Sequence, residues 1–337
     1  MKYRLFLVGF LSFSSLLMVT EAIASAEIEQ SQSNENSNQH SSSALIYLEK
    51  MQQAYKKLNY ELLYINTGMN EVEPKQLIHG VINNQRIRYF SFLNGAMRES
   101  VQFDGKISFY EQGNQAYSLT SKRDQSVFAN IANFDFEMGN HSYEYIVLGK
   151  SRIAGKKALA IRMISKDEFR YSYIIWLDLN SFLPLRLDTI SKSNLIIDQI
   201  MAISLNVTET VNPWIAQLSE KKIPEVLHLP KMVVDEEAQW QVNWLPEGFQ
   251  IIKDDQHKLM MHDPEPVSYI MLSDGIVTAS IYIANKLEPN SKHKSIIQRG
   301  ATLLYTKQQG NIEINIIGDI PVATAERIAA SIRMVEE

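Results

Sequence analysis

The sequence predicts an α+β protein dominated by antiparallel strands and divided into two domains. Three observations lead there. Many short segments alternate apolar and polar residues and are separated by turn chemistry such as Asn83-Asn84, Asn94-Gly95, Asp104-Gly105, Gly113-Asn114 and Ala154-Gly155. Most neighbouring segments lack the helical crossover that a parallel pair requires. Three prolines, Pro213, Pro224 and Pro230, punctuate a change of composition about two thirds of the way along the chain.

Residues 1–26 carry Lys2 and Arg4, an apolar run from Leu5 to Val19 and the small residues Ala24-Ser25-Ala26. This is the pattern of an export signal, with cleavage expected after Ala26 and a mature start at Glu27. The apolar run is short for a membrane span of roughly 20 residues. The chain contains no cysteine, so neither disulfides nor a lipoprotein's acylated cysteine enter the account. Residues 27–43 are polar and low in complexity and read as a tether.

The first domain is read over 44–207. Leu45, Leu48, Tyr55 and Leu58 recur at helical spacing, which predicts an amphipathic helix over 44–58. Strands are expected at 60–67, 75–83, 86–93, 97–103, 106–111, 143–149, 158–164, 170–178, 183–190 and 195–207. The aperiodic stretch 121–142 is expected to form a short helix and loop reaching over the sheet. A twisted sheet of this size curls. Its interior is then either packed core or a cavity for an apolar ligand. Segment 170–178 raises that question sharply, because Tyr171, Tyr173, Ile175 and Leu177 fall on one face while Ile174 and Trp176 fall on the other.

Residues 208–230 are read as a linker, with helix expected only from about Pro213 to Lys222. The second domain, 231–337, shows two hairpins, turning at Ser273-Asp274-Gly275 and Gln309-Gly310. A closing helix is expected at about 322–334.

Chemistry-bearing motifs are sparse. The sequence has no HExxH, GxSxG, P-loop or GxGxxG pattern, and no catalytic residue is assigned. Asp254, Asp255, His257, His262 and Asp263 are metal-ligand types within a short loop, but their spacing fits a solvated loop better than a defined metal site. Lys150, Arg152, Lys156 and Lys157 surround a turn and read as a solvated edge. A net charge of −5 gives no reason to expect nucleic acid. No cofactor is implied. The aromatic residues on successive strands read as core or as cavity lining. Leu62, Tyr64, Phe90, Phe92, Phe109, Ile174 and Trp176 are the candidates to line an acyl-chain cavity.

Several segments carry a family resemblance. They are NYELLYIN (59–66), Arg98–Glu111, LGKSRIAGK (148–156), RYSYIIWLD (170–178), LPLRLD (183–188), NWLPEGF (243–249), LSDGIVTASI (272–281) and IGDIPVATAERIAASI (317–332). Together they resemble the periplasmic sigma-E regulatory proteins of the RseB/MucB family. The resemblance implies a large domain like the lipoprotein carriers LolA and LolB, an unclosed antiparallel β-barrel with helices on its open side, followed by a smaller α/β domain. It implies a periplasmic, non-enzymatic protein that binds the periplasmic domain of a membrane-spanning anti-sigma factor and shields it from regulated proteolysis. It also links the family to lipid or lipopolysaccharide signals and to homodimers. A periplasmic carrier of lipoproteins or lipids is the alternative. The second domain separates the two readings, because simple carriers lack it.

Overall fold

The computed structural model describes residues 43–67, 72–121, 124, 126–227, 240–257, 267–285 and 294–334. The expected export signal and most of the tether lie outside the described residues. A helix over 43–57, α1, opens the fold. It is followed by β1 (Asn59–Asn66), β2 (Glu73–Ile82), β3 (Gln85–Phe92), β4 (Arg98–Phe103), β5 (Lys106–Glu111) and β6 (Tyr117–Thr120). A short helix α2 (Ala129–Asn133) and a 3-10 turn, Met138–His141, interrupt the strands. Then come β7 (Tyr143–Ile153), β8 (Lys156–Ser165), β9 (Ser172–Asp178), β10 (Pro184–Ile190) and β11 (Ile196–Thr208).

These eleven strands form one antiparallel sheet in the order β6-β5-β4-β3-β2-β1-β11-β10-β9-β8-β7. The two end strands do not pair with each other, so the barrel is unclosed. Local chemistry explains its hairpins. Asn83 and Asn84 both adopt positive φ, as do Asp104 with Gly105 and Ala154 with Gly155. That is the two-residue turn whose twist matches the flanking strands. Strand β6, over 117–120, was not anticipated, because its four residues carry too little alternation to detect.

Residues expected to be a linker are docked on the outer face of the sheet. Pro213 begins α3 (Pro213–Glu220), and the Asn212 side chain caps it by accepting from Trp214 N at 2.9 Å. Ile215 is fully buried against Ile78, Ile87 and Tyr89. Gly80 permits this close approach, since a Cβ there would lie 2.8 Å from Val211 Cγ1. Farther on, Ser118 N donates to Glu225 O and Leu227 N to Ser118 O, which covers the free edge of β6.

After the short strand β12 (Trp240–Val242), the second sheet contains β13 (Gln250–His257), β14 (Val267–Ser273), β15 (Thr278–Asn285), β16 (Lys294–Arg299), β17 (Thr302–Gln309) and β18 (Ile312–Gly318). Its order is β13-β14-β15-β18-β17-β16. Helix α4 (Val322–Ser331) contributes Ala325, Ile328 and Ala329 to the core. It stops short of the expected end because Ile332–Met334 leaves as a strand and pairs with Trp240–Val242. One contiguous core runs from α1 through the inner face of the large sheet into the second sheet.

Candidate functional site

Register divides the candidate cavity residues between two faces. Leu62 pairs with Leu77, Leu77 with Phe90, Phe90 with Ser100 and Ser100 with Phe109, so these side chains share the inner face. Tyr64, Lys75 and Phe92 form the next row on that face. Trp176 and Ile174 pair with Arg186 and Asp188, which pair with Met201 and Gln199 on the outer face. There the buried Asp188 carboxylate accepts from Arg186 Nε at 2.7 Å, Gln199 Nε2 at 2.8 Å and Trp176 Nε1 at 3.3 Å. The apolar residues on the second face of β9 therefore cover a satisfied polar network. They do not line the inner space.

Leu62 and Tyr64 are buried in the core by the protein's own side chains. Phe90, Phe92 and Phe109 are brought together, with Leu77 and Ile107, around an open pocket of about 260 Å³. This is slightly below the roughly 300 Å³ at which small-molecule pockets begin. Phe90 meets Phe92 edge to face at 5.2 Å. At the rim, Arg98 lies 3.6 Å over the Phe92 ring and Lys75 lies 4.7 Å over it.

A buried polar latch bounds this pocket, and sequence reasoning missed it. Arg88 and Asp124 form an ion pair at 2.8 Å, with side chains only 7% and 9% exposed. Ser126 Oγ donates to Asp124, and the Tyr55 hydroxyl of α1 lies 2.7 Å from Ser126 Oγ. Burial pushes the Tyr55 phenol well above its usual range. In the same row, His79 stacks on Tyr60 at 4.8 Å with Nδ1 2.8 Å from Leu58 O. Burial lowers its pKa to about 4. The missed signal was Arg88 sharing a face with Phe90 and Phe92, since an arginine on an apolar face implies a buried partner. Asp124 sits in an aperiodic segment and had no sequence signature.

Beyond the latch, 126–142 covers the β7–β10 half of the inner face, as expected of the aperiodic stretch. Gln52 Nε2 donates to Phe134 O at 2.7 Å, and Phe134 and Phe136 pack edge to face on Tyr143 and Tyr145.

A cleft of about 430 Å³ lies between this cover, the inner face and the second sheet. Tyr173, Leu187, Ile200, Ile276 and Val277 form apolar walls, with Asp198 and Asp319 among the polar lining. The β8–β9 hairpin tip pins the two domains beside it. Phe169 packs on Trp244 at 4.8 Å, and Arg327 lies over both rings. Arg170, 3% exposed, donates to Asp167 Oδ2 at 2.9 Å and to Glu247 O at 2.5 Å, and lies 4.0 Å from Asp274. Burial raises the pKa of the Asp274 carboxyl, opposed by backbone N–H groups of Val277 and Ile276 and by Arg170. Tyr171 OH donates to Ile320 O at 3.2 Å, and Thr324 Oγ1 donates to Phe169 O at 2.6 Å.

Among the described residues no cluster could hold a metal ion, and no helix is long and apolar enough to cross a membrane. In the loop expected to be solvated rather than metal-binding, His262 and Asp263 lie outside the described residues. Asp254, Asp255 and His257 fall on β13, with side chains that are not described.

An aromatic recess and a mixed polar and apolar cleft lie on either side of the polar latch, an arrangement that suits binding. Residues 43–227 match the MucB/RseB N-terminal domain, and residues 234–333 match the MucB/RseB C-terminal domain. The chain is 30% identical over 288 residues to the sigma-E factor regulatory protein RseB of Escherichia coli (strain K12), covering 85% of this chain and 89% of that protein. It is 23% identical over 297 residues to the sigma factor AlgU regulatory protein MucB of Pseudomonas aeruginosa, covering 85% and 90%. A solved structure of the Pseudomonas aeruginosa MucA/MucB complex superposes with a TM-score of 0.70 at 22% identity, covering 88% of this chain and 100% of that one.

Proposed function

The chain belongs to the MucB/RseB family, and on that premise we propose that it is a periplasmic negative regulator of the sigma-E envelope-stress response. In this reading it is a binding protein and not an enzyme. It binds the periplasmic segment of a membrane-spanning anti-sigma factor and slows that segment's cleavage. The observation that carries the reading is the match to both family domains, in order, over nearly all of the described chain.

The geometry supplies a mechanism. A protease needs an extended, accessible substrate, so a segment ordered against the protein is protected. The interdomain cleft, with apolar walls and acidic residues, is the favoured place for part of that segment. The open recess at Phe90, Phe92 and Phe109 is the favoured place for the end of an acyl chain. Leu62 and Tyr64 back it from the core, while Ile174 and Trp176 drop out of the lining because they face outward. Ser126 borders both spaces. A lipid that displaced the latch would therefore disturb the cleft, provided it bound that arrangement more tightly than the latched one.

The test combines the mature protein, the partner's periplasmic segment and the protease that makes the first cut. Cleavage should slow in proportion to the bound fraction and recover when lipid is added. Equal cleavage rates with and without saturating protein would reject the regulatory reading and favour the carrier.

A further inference from the structure

Strand β16, Lys294–Arg299, is an edge of the second sheet, and among the described residues no chain runs along its outer side. Most edges are shortened, bulged or covered. This one instead exposes two adjacent isoleucines, Ile296 at 43% and Ile297 at 60%. They lie on opposite faces, beside Tyr305 and Leu304 of β17 respectively. The strand also leads directly to the interdomain cleft. Gln298 Nε2 donates to the Tyr171 hydroxyl at 3.3 Å, and Ala301, in the turn that follows, lines the cleft.

We propose that the β16 edge is a strand-addition site for an extended partner segment whose apolar residues are flanked by acidic ones. Edge backbone groups with no partner among the described residues call for an extended peptide, because only a strand satisfies them in series. The isoleucines call for apolar side chains on both faces of that peptide. Charge selects between a partner and a second copy. In the antiparallel self-pairing that joins Ile296 to Ile297, Lys294 stands opposite Arg299 at both ends, and like charges directly opposite are destabilising. Glu326 partly neutralises Lys294, while Arg299 is exposed with no carboxylate against it among the described residues. An acidic flank complements both ends.

The natural partner rests on the regulatory reading, but the edge does not, so two arms separate them. The first arm uses the full mature chain and a short capped peptide alternating valine and threonine between glutamates, with a lysine-ended twin as control. Amide hydrogen exchange should slow across 294–299 with the acidic peptide. Ile297→Lys, and Ile297→Thr as the strand-compatible variant, should weaken its binding about tenfold, and the lysine twin should bind at least about tenfold more weakly. Equal binding of the twins, indifference to both variants, or exchange protection that grows with protein concentration alone would overturn the proposal, the last result assigning the edge to a second copy. The second arm uses the anti-sigma segment. If it binds and protects elsewhere, the edge proposal falls and the regulatory reading stands. If it fails to bind while the acidic peptide still protects 294–299, the regulatory reading falls and the edge stands.

Discussion

The two halves of the inner face are built from one sheet and similar aromatic residues, yet they end in different states. Over β7–β10, Tyr143, Tyr145, Tyr173 and Ile175 are buried beneath Phe134, Phe136 and the turn at Ile276 and Val277. Over β3–β5, Phe90, Phe92 and Phe109 remain partly exposed around a recess. The strands do not make this difference; the cover does. A segment over 126–142 and the second domain close one half, and the Arg88–Asp124 latch marks where closure stops. Aromatic side chains on a curled sheet are therefore core or site according to what lies over them.

Breaking the closed half at its pin should give the largest effect. Arg170→Ala leaves the buried Asp274 carboxyl without its cation and removes the Glu247 contact. A loss of about 4 kcal/mol is expected in urea unfolding, with the second domain becoming protease-sensitive first. Partial recovery in Arg170→Ala/Asp274→Asn would identify the stranded charge as the cause; no recovery would point to packing. Ile175→Ala, at a fully buried site in the same half, should cost about 3 kcal/mol in the same measurement.

The boundary between the halves should respond to pH. His79 has its pKa lowered to about 4 from 6.5 by burial. The unfolded chain therefore takes up the proton first as pH falls. Stability should drop between about pH 6.5 and pH 4, by roughly 3 kcal/mol in all, and be unaffected by this group above that window. Unfolding curves for His79→Gln should show a shallower acid loss; an unchanged slope would assign it to other groups.

The smallest effect belongs to the open half. Phe109→Ala should cost only about 1 kcal/mol, because the ring is partly exposed already. It should nonetheless weaken binding of a fluorescent fatty acid about tenfold. A stability loss as large as that of Ile175→Ala, with lipid binding intact, would make the recess ordinary core.

Much of the fold was legible because its determinants are local. Period-two alternation and the turn pairs Asn83-Asn84, Asp104-Gly105 and Ala154-Gly155 placed most strands to within a few residues. Pro213 placed the start of α3. Alternation also showed that Ile175 and Trp176 lie on opposite faces of β9. It could not show which face turns inward, because that depends on partners far along the chain. Tertiary structure set Trp176 outward over Asp188, brought Asp124 to Arg88, and seated Ile215 on Ile87. It also left Phe90, Phe92 and Phe109 around an open recess while closing the neighbouring strands. The sequence by itself determined where most strands of the large sheet lie and which of their residues share a face, since those follow from backbone periodicity and turn chemistry. Only the tertiary structure decided which face is core and which is site, since burial depends on the segments that come to lie over each face.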